Sequence, residues 1–218
     1  MYYHLTDVKG SVIFPSHTRS VREAGGVCIA DEAESGLGRL GEEFWGFQTH
    51  GVVPDIVTLG ESMGNGHPVG AVVTTNEIAD KFAKGSSYFN TYGGNPVSMA
   101  IAKSVLEVLE EEKLQENARA VGAFLTQTLR QLQERHCVIG DVRGLGLCVG
   151  LEIVSDAGSR DPAPDKARDI VAKLLKEHRI VAKVDDACGN VIKVKPPMCF
   201  SKENAQELVS ALDEILVG

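Results

Sequence analysis

Apolar residues follow two rhythms along this chain, and the change from one to the other near Pro96 gives the first division of the sequence. Before it, after a short irregular start, apolar residues gather in unbroken runs closed by a polar residue. Gly26-Val-Cys-Ile-Ala-Asp31, Asp55-Ile-Val-Thr-Leu59 and Val69-Gly-Ala-Val-Val-Thr-Thr75 are three such runs. Short runs without polar alternation predict buried strands of the kind found in parallel sheets. Glycine-rich turns follow the first two, so Asp31, last in its run, is expected at the C-terminal edge of an open α/β sheet, where ligands bind.

From Pro96 the period is helical. Ile101, Val105, Leu106 and Leu109 share one stripe, and Val121, Phe124, Leu125, Thr128, Leu129 and Leu132 another. Gly140 to Ile153 reads as a turn and a strand, and Asp161-Pro-Ala-Pro164 as a loop before a helix carrying Ile170, Val171, Leu174 and Leu175. Arg179 to Val184 and Val191 to Lys195 predict two more strands, the second ended by Pro196-Pro197. Ser201 is placed to cap a last helix with Ala205, Leu208, Val209, Leu212, Ile215 and Leu216 on its apolar face.

Composition narrows the class without naming a function. The chain has 218 residues, 43% apolar and 24% charged, the proportions of a globular protein with enough core to need no disulfide or metal staple. With 22 basic against 30 acidic residues the net charge is −8 and no basic stripe occurs, so neither nucleic acid nor an anionic membrane surface is an expected partner. No apolar stretch has the length of a membrane span, and the first ten residues resemble neither a signal peptide nor an organelle presequence. Cys28, Cys137, Cys148, Cys188 and Cys199 are odd in number and scattered without metal-ligand spacing. Buried, reduced thiols are expected, no metal site, and an intracellular reducing compartment, either cytosol or mitochondrial matrix.

Gly36-Leu-Gly-Arg-Leu-Gly41 fits the dinucleotide pattern G-x-G-x-x-G after a strand. That pattern works only when its last glycine opens a helix whose N-terminus holds a pyrophosphate, and here Glu42 and Glu43 would meet the anion instead. A tight loop at a site is the expectation.

Several collinear segments carry more information: Ile29-Ala-Asp-Glu-Ala-Glu-Ser-Gly-Leu-Gly-Arg39, Phe44-Trp-Gly-Phe47, Pro54-Asp-Ile-Val-Thr-Leu-Gly60, Met63-Gly-Asn-Gly-His-Pro68, Phe89-Asn-Thr-Tyr-Gly-Gly-Asn-Pro96 and Lys195-Pro-Pro-Met-Cys-Phe200. From about Gly25 to the C-terminus they resemble the class III, ornithine-aminotransferase-like pyridoxal-phosphate enzymes. The match is clearest for the branch of ethanolamine-phosphate and phosphohydroxylysine phospho-lyases, also labelled alanine–glyoxylate aminotransferase 2-like. The resemblance implies an α/β fold, the fold type I of pyridoxal-phosphate-dependent transferases. Residues 1–112 would be the C-terminal part of a large, mostly parallel cofactor domain and 113–218 a small α+β domain. It also implies pyridoxal 5'-phosphate as cofactor, a small amino substrate, and pairing either as a homodimer or with a full-length relative.

Site residues follow by position in those motifs. Asp31 matches the carboxylate that keeps the pyridine nitrogen protonated, so that the ring can act as an electron sink. Thr91 matches the threonine that reaches across a dimer interface to the partner's cofactor phosphate. The family's D-E-V-Q reads Asp31-Glu-Ala-Glu34 here: Ala33 removes two methyls of ring contact, and Glu34 puts a carboxylate where a neutral amide sits near the ring's 3-oxygen. Lys193 stands where many aminotransferases carry an Arg that clamps the substrate carboxylate, and Lys is usual in the phospho-lyase branch.

The largest departure is at Thr58-Leu-Gly-Glu61-Ser-Met-Gly-Asn-Gly-His-Pro68. Glu61 occupies the position of the family's Schiff-base lysine, whose amine serves as nucleophile and base, and a carboxylate cannot condense with an aldehyde. Covalent cofactor attachment is therefore not expected, and Lys81 and Lys84 are expected to be solvated helix charges. The family's phosphate-binding turn and ring-stacking aromatic precede the matched region, so the chain is expected to be about half a subunit with an exposed sheet edge and exposed apolar surface. A chain without activity of its own is the leading expectation. An enzyme completed by another half and a non-catalytic partner of full-length relatives are the alternatives.

Overall fold

The structure is a computed structural model and describes residues 13–85, 87–156, 158–185 and 187–217, with only the backbone of Ile13 and Phe14. The described residues form two compact units, one of 13–38 with 43–115 and the other of 39–42 with 116–217. Among them no helix is long and apolar enough to cross a membrane.

The first unit is built on a three-stranded sheet of order β1 (Ile29–Asp31), β2 (Ile56–Leu59) and β3 (Ala71–Thr74). β1 and β2 run parallel, with Asp31 opposite Thr58, and β3 is antiparallel to β2. Each strand is shorter than its apolar run, because the flanking residues serve the turns. Asp55, just before β2, accepts the Cys28 N–H at 2.7 Å, while Arg22 bonds both its oxygens and the Val53 carbonyl. These bonds hold the Asp55 carboxyl below the usual carboxylate range, the Cys28 N–H contributing most and Arg22 next.

Helices α1 (Ile13–Glu23), α2 (Asn76–Gly85) and α3 (Pro96–Glu111) complete this unit. Of the start expected to be irregular, the described part from residue 13 is largely α1, with Pro15 in its first turn and Gly25 at φ 80° beyond its end; residues 1–12 lie outside the described residues. That pairing of proline and glycine was the available signal. Lys81 is exposed on α2 and paired with Glu77, as a solvated helix charge should be. α3 has Asn95 as its cap, accepting the Ser98 N–H, and Pro96 as its first residue.

Two expectations for this sheet need correction. β3 is antiparallel, so the described sheet is half parallel by pairing, and its apolar residues are not all buried. Val72 is 67% exposed, and Val73 and Ile29 are also exposed. An apolar run records what a strand can bury, not whether its cover is within the same stretch of chain. The apolar surface expected from the family comparison is thus present.

The second unit contains α4 (Leu114–Arg135), β4 (Ile139–Leu145), β5 (Cys148–Ile153), α5 (Pro164–His178), β6 (Lys183–Asp185), β7 (Val191–Val194) and α6 (Lys202–Val217). Its antiparallel sheet has the order β4-β5-β7-β6. The helical stripes foreseen on α4, α5 and α6 supply most of one core, in which Leu125, Leu129, Leu151, Leu174 and Leu212 are fully buried. Ser201 caps α6 by accepting the Asn204 N–H, and Asn204 returns the bond to the Ser201 N–H.

Here too the structure differs from the expectation at defined places. Gly140 to Ile153 forms two strands rather than one, because Gly146, at φ 52°, reverses the chain between β4 and β5. The strand expected from Arg179 begins only at Lys183. Arg179 takes the left-handed conformation, φ 60°, and its N–H caps the Leu174 carbonyl at the end of α5. Of the five cysteines, all free, only Cys148 is buried; Cys28 is half-buried and Cys137, Cys188 and Cys199 are exposed. The expectation of buried thiols fails where the cysteine lies in a turn rather than a strand.

Two predictions follow from contacts in this unit. A Cβ on Gly122 of α4 would lie 2.2 Å from the Gly146 carbonyl oxygen, and backbone on both sides has nowhere to go. Helix propensity alone favours alanine by about 1 kcal/mol, but this clash should win, and Gly122→Ala should lower the urea-unfolding free energy by about 3 kcal/mol. Separately, Asp213 of α6 accepts from His136 and Arg135, each at 2.6 Å, and the two donors, His136 foremost, hold its carboxyl below the usual range. Its contribution is therefore complete above the unfolded carboxylate value near 4 and is lost as pH falls through the depressed folded value. Asp213→Asn should cost about 1 kcal/mol at pH 7. The gap from wild type should close in acid; an undiminished gap at pH 2 would contradict this account.

Candidate functional site

Asp31 is the last residue of β1, exposed, with one oxygen accepting the Ala33 N–H at 3.2 Å and the Thr58 hydroxyl at 3.0 Å. The parallel register makes this possible, since it sets Asp31 beside Thr58 at the same end of both strands. The Glu32 N–H donates to the Thr58 carbonyl at 2.8 Å, which extends the ladder by one bond past the strand.

Glu32 points the other way and is only 2% exposed. Its carboxyl accepts the Ser35 hydroxyl at 2.9 Å and the N–H groups of Gly46 and Phe47 at 2.7 and 2.8 Å, the first two donors of a short 3-10 helix, Gly46–His50. A buried carboxyl needs such partners, and a helix start needs an acceptor, so each satisfies the other. The bonds close residues 32–47 into a compact loop carrying Ala33 and half-buried Glu34. Burial pushes the His50 imidazole below its usual value, with the Glu32 charge opposing the shift.

The glycine pattern within this loop makes turns. Leu37, Gly38 and Gly41 have positive φ and no α-helix follows Gly41. Arg39, which belongs to the second unit, donates to the carbonyls of Leu147 and Pro196 at 3.2 and 2.7 Å. A tight loop, not a dinucleotide cradle, is what forms.

Beyond β2, a Cβ on Gly60 would lie 3.1 Å from the Ala33 Cβ, so the two loops touch. Glu61 opens a 3-10 turn, Glu61–Gly64, that packs against α3. Its side chain is exposed and makes no hydrogen bond or ion pair among the described residues. The neighbouring Ser62 hydroxyl is shielded from solvent and has no hydrogen-bond partner among them. His67 Nε2 meets Ser98 Oγ at 2.8 Å, and Asn95 Nδ2 donates to that same hydroxyl, so the segment after Glu61 is tied to the cap of α3.

Thr91 lies exposed in the loop before α3. Asn90 shapes that loop by accepting the N–H groups of Tyr92 and Gly93, and the Tyr92 carbonyl accepts Asn95 Nδ2. Tyr88, Phe89 and Tyr92 are all exposed around it. Lys193 sits in the second unit on β7, its side chain 9% exposed and its ammonium 3.0 Å from Asp185 of β6. An open groove of about 560 Å³ in the same unit, lined by Arg119, Thr126, Arg130 and Glu134 among others, holds none of the candidate residues.

Asp31, Ala33, Glu34 and Glu61 thus share the paired ends of β1 and β2. Glu32, His67, Ser98 and Asn95, which hold those loops, were not singled out from sequence. Glu32 next to a strand-end acid reads as one more surface charge. His67 and Asn95 sit in quoted motifs, but their common partner Ser98 has no local signature. Chemically, the strand ends offer a carboxylate able to accept a proton-bearing ring nitrogen. No amine lies in these loops: between Arg22 and Lys81 the one basic residue besides histidine is Arg39.

A family model described as aminotransferase class-III matches residues 14–216. The Drosophila melanogaster alanine–glyoxylate aminotransferase 2-like protein is 52% identical over 200 residues, covering 91% of this chain and 40% of that protein. The Caenorhabditis elegans ethanolamine-phosphate phospho-lyase homolog 1 is 44% identical, covering 90% and 42%. Among solved structures, an Arthrobacter phospholyase in complex with phosphoethanolamine superposes with a TM-score of 0.94 at 37% identity, covering 98% of this chain and 50% of that one. The chain therefore spans less than half the length of these curated relatives, whose fold type and dependence on pyridoxal phosphate go with the family. By sequence and by fold, the chain belongs to the class III aminotransferases.

Proposed function

We propose that this chain is a member of the phospho-lyase branch of class III that performs no lysine-dependent chemistry of its own. The observation that carries the reading is Glu61 in the exposed turn after β2, where the motif calls for the amine. The residues fit one part of pyridoxal phosphate and not another. Asp31, fixed by Thr58, suits the ring nitrogen, so the chain would hold the ring at the end of β1 without a covalent bond. When bound in the family, the group withdraws electrons from the substrate's reacting carbon.

In this chain, Asp31 would accept the ring N–H, and Glu32 would keep the Asp31–Ala33 turn in place. Ala33 would leave more room over the ring than the valine of the motif. The substrate class of the whole protein is proposed as a small amino compound bearing a phosphate, in line with the relatives' names.

The exposed apolar residues favour a second reading alongside the first. Val72 and Val73 on β3, and Phe89 and Tyr92 around Thr91, make a surface suited to pairing, either with a second copy or with a full-length relative. Lys193, paired with Asp185, is proposed as a substrate contact that would have to exchange that partner for a phosphate or carboxylate. An intracellular, reducing location is proposed from the three exposed free thiols.

Borohydride reduction in the presence of pyridoxal phosphate tests the central claim. The wild-type chain should yield no stoichiometric, saturable pyridoxyl-lysine, whereas Glu61→Lys, joined to the N-terminal half of a class III relative, should be labelled at residue 61. Saturable labelling of any wild-type lysine at one per chain would overturn the reading. An unlabelled Glu61→Lys protein that binds no cofactor would show that Asp31 and its loop do not form the site.

A further inference from the structure

The two loops that leave β1 and β2 carry three carboxylates, Asp31, Glu34 and Glu61, and they touch where Gly60 meets Ala33. Neither loop carries a lysine. Nor do they form a metal site: among the described residues no group of three or more His, Cys, Asp or Glu is arranged to hold an ion. Asp31 is engaged by Thr58, whereas the exposed Glu61 side chain has no hydrogen bond or ion pair among the described residues.

The cofactor class exists in three forms that share ring and phosphate and differ in one substituent, an aldehyde, an alcohol or a primary amine. That substituent lies across the ring from the nitrogen. A site built around a lysine amine suits the aldehyde, since the two condense. A carboxylate in that place gains only a weak contact from an aldehyde and one hydrogen bond from a neutral alcohol, whereas with an ammonium it forms a hydrogen-bonded ion pair. We infer that this strand-end site selects the amine form, pyridoxamine 5'-phosphate, and holds it noncovalently through Glu61. The inference rests on the reading of Asp31 and its loop as the ring site. It gives the departure at Glu61 a binding consequence: the site discriminates by charge where its relatives discriminate by bond formation. No covalent step is involved, so no co-reactant is required.

The test compares pyridoxamine 5'-phosphate with pyridoxine 5'-phosphate, the alcohol, on the full 218-residue chain by calorimetric titration. The alcohol cannot condense with surface lysines, so the comparison isolates the ammonium. Pyridoxamine phosphate should bind about tenfold more tightly, the scale of an ion pair's advantage over the hydrogen bond of a neutral donor, and the ratio should fall as salt is raised. Glu61→Gln should bring the ratio to about one, while thermal unfolding stays unchanged because the side chain is exposed and without a fold contact. Equal affinities in the wild type would overturn the selectivity and leave the ring site standing. A ratio that survives Glu61→Gln would overturn the role of Glu61. Binding of neither compound would overturn both this inference and the cofactor reading beneath it.

Discussion

A buried carboxyl organises the loops at the strand ends. Glu32 turns into the protein while Asp31 turns out, and its oxygens take up the Ser35 hydroxyl and the N–H groups of Gly46 and Phe47. Without those donors the side chain would carry the desolvation penalty of an unpaired polar group, and without the side chain two helix-start donors would lack a partner. The mutual dependence closes the loop from residue 32 to 47. That closure sets where the Asp31–Ala33 turn lies and so what Ala33 meets across at Gly60. The parallel pairing of β1 with β2 covers only three residues, so bonds beyond the ladder, from Glu32 and from Asp55, carry much of the alignment.

The same division of labour appears after β2. Glu61 is exposed and makes no fold contact, whereas His67, six residues on, shares the Ser98 hydroxyl with the capping Asn95. The turn that carries residue 61 is therefore held by bonds that do not involve its side chain. The family match over residues 14–216 includes this turn.

How much was legible in the sequence depended on the range of the interaction that forms each feature. The helix α3 and the stripes of α4, α5 and α6 were readable because helix periodicity is local, and the Ser201 cap because its partner is three residues away, whereas on α3 the buried residues are Ser98 and Ala102 and Leu106 of its stripe is exposed. The left-handed turn at Arg179 was not, since a non-glycine residue there gives no warning. The reversal at Gly146 was obscured by a run of glycines compatible with one continuous strand. Exposure of Val72 and Val73 could not follow from their own run, which is as apolar as a buried one. Glu32 escaped notice because its donors lie up to 15 residues away, in the phenylalanine-rich segment beyond the glycine turns.

The candidate site was legible in a different sense. Asp31, Ala33, Glu34, Glu61 and Thr91 came from motif positions, not from periodicity, and the structure adds what surrounds each of them. For Asp31 that is the Thr58 hydroxyl, which fixes one oxygen and thereby orients the other. For Glu61 it is open surface. Asp31 and Glu61 stand at the ends of neighbouring strands with unequal ties: moving Asp31 would break its bond to Thr58 across the two strands, whereas the exposed Glu61 side chain makes no hydrogen bond or ion pair among the described residues. The bonds that fix the geometry of these strand ends therefore run through Asp31 and Thr58 and not through Glu61.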